Sequence, residues 1–448
     1  MVSHGKPSWL ASKLGRREFL KATAFAGAAA VGAPRLFGAA RAAEPLTMQT
    51  WSAAVDVVKS HLAAFEKKTG VHVDYGNAPW AQYRETMVTK FAGGAPVDML
   101  WVSDAWLPEW AEAGWIAPID GYDFLMQYNA DVVQFCTDSM TYNGRQYGLT
   151  YYTDFMGFLY DADKLAAAGF SAPPKSWDEV VEQSLVMKQK RIAEFPMMLS
   201  MAQESWLIEF MSALTFSHGG RFTDADGKAI MQHAKDGAVS ALQWVVDAVR
   251  KHEIVSPACV ETGELAGLKA VSAGNHAFAL LPKYRLRVLN DPAQSKVAGK
   301  IKQALMPMGP NGSHATVGWM RFHGMTAQSA RDKARADETA RLIEWFGGKA
   351  DGQYTFQKLV FLDAGSDFAV KPLYQDPDVQ AAYAKFADFN MIQQQQTLAR
   401  QKDVIKPWFG EWSEVNGAAW QAAILGNVTP EAALDQSAKS WMKLKSRA

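Results

Sequence analysis

The residues able to do chemistry in this chain fall in a few short stretches. Asp98 to Asp120 reads DMLWVSDAWLPEWAEAGWIAPID and carries Trp101, Trp106, Trp110 and Trp115, out of 16 tryptophans in 448 residues. An indole offers a broad apolar face and one polar edge, which suits a packed core or the C–H face of a sugar ring. Carboxylates, amides and guanidinium groups satisfy the hydroxyl rim of such a ligand, the charged ones most strongly. Trp51 ends a strand-like run, Trp80 follows Asn77-Ala-Pro79, and Asp104 and Trp106 follow Val102-Ser103. Tyr151, Tyr152 and Asp154 lie together further on. Trp206 heads a helical pattern, Tyr284 follows Pro282, Trp319 and Arg321 follow Gly318, and Trp408 and Glu411 follow Pro407. The candidate ligand-binding set is therefore Trp51, Trp80, Asp104, Trp106, Tyr151, Asp154, Trp206, Tyr284, Trp319, Arg321, Trp408 and Glu411. Each also has a packing explanation, since indoles fill cores and Asp104 is placed to cap a helix. Within the quoted stretch, Trp101 is expected on a buried strand. Trp110 and Trp115 are expected to pack a helix, and Trp106, beside Asp104, to be the stacking platform.

Covalent and metal chemistry find little support. The chain has no H-E-x-x-H, C-x-x-C, G-x-G-x-x-G, P-loop or G-x-S-x-G. Its nine histidines include no i, i+4 pair. Ser440-Trp-Met-Lys443 fits a loose S-x-x-K pattern, but in an amphipathic terminal helix without companion motifs. No catalytic residue, metal or cofactor is expected. An exported glycoside hydrolase would need two carboxylates about 5–10 Å apart. Asp104 with Asp154 or Glu411 are the pairs that could supply them.

Lys plus Arg equals Asp plus Glu at 46 each, which gives no electrostatic reason for a nucleic-acid or membrane-surface partner. Cys136 and Cys259 are distant in sequence, so their pairing stays open. Arg16-Arg17-Glu-Phe-Leu-Lys21 precedes an Ala- and Gly-rich apolar run that closes on Ala40-Arg-Ala42. Residues 1–42 thus look like a twin-arginine export signal with Ala43 as the mature start. A soluble periplasmic protein is expected.

These side chains need a scaffold, and the sequence indicates one. Leu46–Trp51 alternates like a strand, and Val55, Val58, Leu62 and Phe65 recur at helical spacing up to Gly70. A strand at His72–Tyr75, a helix at 83–91, a strand at Met99–Val102 and a helix at 104–113 follow. This β-α-β-α-β-α order implies an α/β fold with a mostly parallel sheet flanked by helices. The pattern restarts with a strand at Met156–Tyr160. Ser176-Trp-Asp-Glu179 is a capping box. Helices are expected at 203–217 and 236–251, strands at His276–Leu281 and Lys302–Met308, and a strand at Met325–Ala327 before a helix at 337–346. The last part reads as helices 376–390, 411–425 and 430–445, the final one with Thr429 as cap and Pro430 at its first position.

Three segments then resemble bacterial extracellular solute-binding proteins of carbohydrate ABC importers, the maltose-binding-protein type. They are Gly94–Asp120, with its G-x-P-x-D strand, aromatic helix start and A-P-I-D ending, then Tyr147–Glu179, with Leu-Tyr-Asp161 and Pro173-Pro-Lys-Ser-Trp-Asp-Glu179, and the tail Ala422–Gln436. The resemblance spans the chain from Ala43 in order. It implies two α/β lobes joined by crossing strands, with the solute held between them and the lobes closing on it. By that analogy lobe one is 43–154 with 310–360 and lobe two is 155–307 with 368–448. The crossings fall near Thr153-Asp154, Met306-Pro307 and Leu362–Gly365. The implied function is a monomeric receptor that binds a sugar or oligosaccharide and delivers it to a membrane permease. Two departures keep other solutes open. Pro282-Lys283-Tyr284-Arg285 stands where the family often has Gly-x-Trp, and Arg321 and His323 are added near Gly318. Free cations there would favour a sugar phosphate, and unpaired carboxylates a polyamine.

Overall fold

The computed structural model describes residues 44–447 except 205 and 234–236. The expected export signal and cleavage point lie outside the described residues. Three parallel strands open the fold: β1 (Leu46–Trp51), β2 (Val73–Ala78) and β3 (Met99–Ser103), with β1 central. The helices α1 (Val55–Thr69) and α2 (Trp80–Ala92) connect them, and α3 (Leu107–Glu112) follows a single 3-10 turn at Asp104–Trp106. Gly70 ends α1 at φ 73°, a left-handed conformation that glycine adopts without a Cβ penalty. Val58, Leu62 and Phe65 form its buried stripe.

Two long strands, Gly148–Asp161 and Thr316–Thr326, carry the sheet onward and pair antiparallel with each other. Thr316–Thr326 also pairs antiparallel with β3, and Gly148–Asp161 with Phe278–Pro282 and Ile301–Ala304. Met197–Met198 closes the far edge, parallel to Phe278–Pro282. The sheet is thus parallel at both flanks and antiparallel through its middle. The sequence pattern marks only the ends of the long strands, Met156–Tyr160 and Met325–Ala327. Both strands are buried nearly throughout, so neither shows an alternating apolar pattern. They approach so closely that a Cβ on Gly148 would meet the His323 carbonyl oxygen at 2.2 Å.

Two hydrophobic cores flank the far half of the sheet. Phe155, Leu159, Ala279 and Leu281 face one, which continues under β1–β3 and the helix Lys333–Gly347. Met156, Phe158, Phe278 and Leu280 face the other, shared with the helices Leu207–Ser217, Ala238–Arg250, Phe409–Ile424 and Pro430–Lys445. Alternation along an extended strand sends neighbours to opposite cores. The expected capping residues hold: Ser176 Oγ accepts from Glu179 N at 3.2 Å and Thr429 Oγ1 from Ala432 N at 3.2 Å. The expected helix 376–390 is two helices, Pro377–Tyr383 and Phe389–Thr397, each started by an Asp cap. Cys136 and Cys259 are buried free thiols.

Candidate functional site

Parallel pairing of β1 with both neighbours brings the carboxyl ends of β1–β3 to one side of the sheet. Trp51 ends β1, Trp80 starts α2, and Asp104 begins the turn after β3. The rings therefore gather. Trp51 meets Trp80, Tyr83 and Trp101 edge-on at 5.0, 5.3 and 4.9 Å between centroids. Trp80 stacks on Trp106 at 5.2 Å, and Trp106 on Trp110 at 5.1 Å. Trp110 is buried, Trp106 is half-buried and Trp80 is 45% exposed. The ring presented to solvent is Trp80, with Trp106 backing it. Trp101 is buried and Trp115 stacks on Phe91 of α2, as the sequence suggested. Tyr151 is buried too and stacks on Trp101 at 4.0 Å, so it forms part of the wall behind the site.

Arg321 lies beside this column. Its Nη1 donates to Asp104 Oδ1 at 2.8 Å and to the Met320 carbonyl, and its guanidinium carbon is 5.2 Å from the centre of the Trp80 ring. Asp104 is fully buried, and its Oδ2 accepts no hydrogen bond. The Lys402 ammonium lies 3.9 Å from Oδ2 and 3.0 Å from Glu209 of the helix Leu207–Ser217. Asp104 is not the N-cap of its turn. Ser103 Oγ fills that role by accepting from Ala105 N.

A second group forms where the long strands meet. The Trp319 indole N–H donates to the Tyr152 hydroxyl at 3.3 Å, and that hydroxyl lies 3.4 Å from Asp154 Oδ2. Trp206 packs edge-on against Trp319 at 5.2 Å. Asp154 is fully buried, with Phe155 N donating to Oδ1 at 2.8 Å and Tyr284 N to Oδ2 at 3.1 Å. Burial pushes its carboxyl up to about 6. Lys283 pulls the other way, and the neighbouring Asp367 adds to the rise. Burial raises the Tyr284 phenol, with the Arg285 charge opposing it. The Arg285 guanidinium sits 4.5 Å from the Tyr284 ring and grips Glu264 bidentately at 2.7 and 2.8 Å. Arg321 acts electrostatically on Tyr151, Tyr152 and Tyr284, so both groups border one region.

Ten of the twelve sequence-chosen residues fall in these two groups. Trp408 and Glu411 share no ring, hydrogen-bond or ion-pair contact with them. Trp408 packs against Trp441 of the last helix at 5.3 Å, and Glu411 is exposed, 3.8 Å from Arg447. Pro407 precedes the helix Phe409–Ile424, which packs against the last helix. The sequence pattern does not reveal Lys402, Glu209, Glu264 and Asp367, whose partners are far along the chain. His323 faces no cleft. It is fully buried, its Nδ1 accepts from the Trp101 indole at 2.9 Å, and burial holds its pKa well below the usual value.

Among the described residues no cluster of His, Cys, Asp and Glu could hold a metal ion, and no helix is long and apolar enough to cross a membrane. Residues 49–353 match the family described as bacterial extracellular solute-binding protein, and the chain belongs to that family. A probable ABC transporter-binding protein of Deinococcus radiodurans is 25% identical over 315 residues, 68% of this chain and 71% of that protein. Maltose-bound MalE3 of T. maritima shares the fold at TM-score 0.74 and 24% identity, covering 89% of this chain and 99% of that one. A solute-binding protein of Agrobacterium radiobacter in complex with ribitol does so at TM-score 0.71 and 18% identity, covering 90% and 99%.

Proposed function

We propose that the chain is an exported receptor that holds a neutral sugar or polyol between two lobes and presents it to an ABC permease. The observation that carries this reading is the exposed Trp80 ring, backed by Trp106 and Trp110 and edged by the Arg321–Asp104 pair. A flat apolar face beside paired polar groups suits a pyranose or polyol. Charge balance narrows the solute class. Arg321 is paired with Asp104, Arg285 with Glu264, Lys402 with Glu209 and Lys283 with Asp367. None of these four cations is left over for a phosphate, and each carboxylate of the four pairs already has its cation. A sugar phosphate would meet cations already engaged, and Asp154, the carboxylate outside these pairs, is fully buried with a backbone amide on each oxygen.

The lobes in this reading divide along the two long strands. Ala315, Val317 and Trp319 join the core of the C-terminal helices, and Met320, Phe322 and Met325 the core under β1–β3, which runs on beneath Leu159 and Leu281. We place the handover at Asp154 in the first strand and at Trp319-Met320 in the second, with residues 365–370 as the third crossing. A hydrolase is disfavoured by geometry. Asp104 and Asp154 are both fully buried, and Asp154 holds a backbone amide on each oxygen. Neither is free to protonate a glycosidic oxygen or to attack a sugar.

Thermal-shift measurements on the purified protein test the reading, because a ligand that binds only the folded state raises apparent stability. Maltose, ribitol, D-mannitol and related neutral compounds are run beside glucose 6-phosphate and putrescine. At least one neutral sugar or polyol is expected to raise the melting temperature. A shift from the phosphate or the diamine alone would refute the neutral-solute assignment.

A further inference from the structure

Asp154, Lys283 and Asp367 form a buried charged cluster on three separate segments. Asp154 lies on the strand Gly148–Asp161, Lys283 follows the strand Phe278–Pro282, and Asp367 lies in the stretch after the helix Thr355–Ala364. All three are at most 1% exposed. The Lys283 ammonium bonds Asp367 Oδ2 and lies 3.9 Å from Asp154 Oδ1, and the Tyr383 hydroxyl donates to Asp367 Oδ1. Backbone bonds bind the same segments together. Lys283 N donates to the Phe155 carbonyl at 3.0 Å, and Thr153 N to the Asp367 carbonyl at 3.3 Å. From Asp154 two arms reach the solute region: Oδ2 accepts the Tyr284 amide and lies beside the Tyr152 hydroxyl, which holds Trp319.

Two carboxylates share one ammonium, so the cluster carries an excess negative charge in a buried place. That is expensive, and a buried polar pair adds little net stability over an apolar replacement. The arrangement is better explained by what it orients. Asp154 has no surface to offer a solute, yet it fixes the turn that carries Tyr284.

We propose that Asp154, Lys283 and Asp367 are positioning residues of the solute site, a strut that ties two of the crossing segments to the turn after the strand Phe278–Pro282 and sets Tyr284 and Tyr152 against the cleft. This rests on the solute-receptor reading. The ionised Asp154 carboxylate is the form that accepts two backbone amides. Lys283, Asp367, Tyr152 and Tyr284 are the titratable groups facing it, with Tyr383 behind Asp367.

The test is Asp154→Asn in the full chain, compared with wild type for melting temperature, for affinity toward maltose and D-mannitol by calorimetry, and for amide hydrogen exchange. Replacing a buried charge by an amide of the same shape is expected to raise the melting temperature at pH 7.5. Loss of one of the two amide bonds is expected to speed exchange at Tyr284 and to weaken solute binding about tenfold. Wild type at pH 5 is expected to approach the variant in affinity, while the variant is flat from pH 5 to 7.5. Tyr383→Phe, which removes one bond to Asp367, is expected to weaken binding in the same direction by a smaller factor. Unchanged exchange at Tyr284 together with unchanged affinity in both variants would overturn the strut. So would loss of affinity that only tracks loss of melting temperature. If wild type binds neither probe, the receptor reading fails for those solutes, and the exchange rates alone decide the strut.

Discussion

At the scale of single residues, the site turns on which indole faces outward. Trp80 is half-exposed at the head of a stacked column, and Trp106 is held between Trp80 and Trp110. Trp80→Ala is therefore expected to remove the platform, weakening solute binding by a factor of ten or more with little loss of melting temperature. Trp106→Ala removes a half-buried ring from a packed column, and large aromatic deletions of this kind cost up to about 3–5 kcal/mol. It is expected to lower the melting temperature as well as the affinity. Calorimetric titration with a denaturation scan of each variant separates the two, and equal affinity loss without destabilisation in Trp106→Ala would return that ring to direct contact. Residue types and strand ends pointed to Trp51, Trp80, Asp104 and Trp106 because such ends converge in any parallel α/β sheet. Which ring covers which depends on side-chain packing that periodicity does not encode. The partners Lys402, Glu209 and Asp367 could not be read at all, since they meet Asp104 and Lys283 across long stretches of chain.

At the scale of elements, the alternation of β1, α1, β2, α2 and β3 was legible because each element is amphipathic or bounded by Gly or Pro. The two long strands were only partly legible because their burial erases the period-2 signal. Those strands also have the tightest tolerance. A methyl group on Gly148 would press on the backbone of His323, a neighbour that cannot rotate away. Gly148→Ala is expected to destabilise the chain by about 1–3 kcal/mol, in the range of core overpacking. Urea unfolding followed by tryptophan fluorescence measures this, and a midpoint equal to wild type would show that the strands can separate locally without penalty. Ser176→Ala, at an ordinary helix start, is expected to cost about 1 kcal/mol and to leave solute binding unchanged.

At the scale of the whole molecule, buried titratable groups pull stability in opposite directions with pH. His61, His218, His276 and His323 are held below the usual imidazole range, burial being the largest cause for each. The unfolded chain takes up protons at these positions as pH falls through about 6.5, and the folded chain does so only at lower pH. Their contribution is therefore present above pH 6.5 and is lost on acidification. Asp154 and Asp403 behave in the reverse sense. Burial pushes both carboxyls up to about 6 from 3.8. Below pH 4 these two cost nothing, and between pH 4 and 6 stability falls as pH rises, because the folded state is the one that retains the protons. A carboxyl raised that far, as at Asp154, costs the folded state about 3 kcal/mol at neutral pH. The wild-type melting temperature is thus expected to fall between pH 7.5 and 5, the histidine loss being only partly offset by the two aspartates. In Asp154→Asn one offset is gone. The variant should be more stable than wild type at pH 7.5, and its advantage should shrink steadily as pH falls from 6 to 4. Differential scanning calorimetry of both proteins over that range measures the gap, and a gap independent of pH would show that Asp154 does not titrate there.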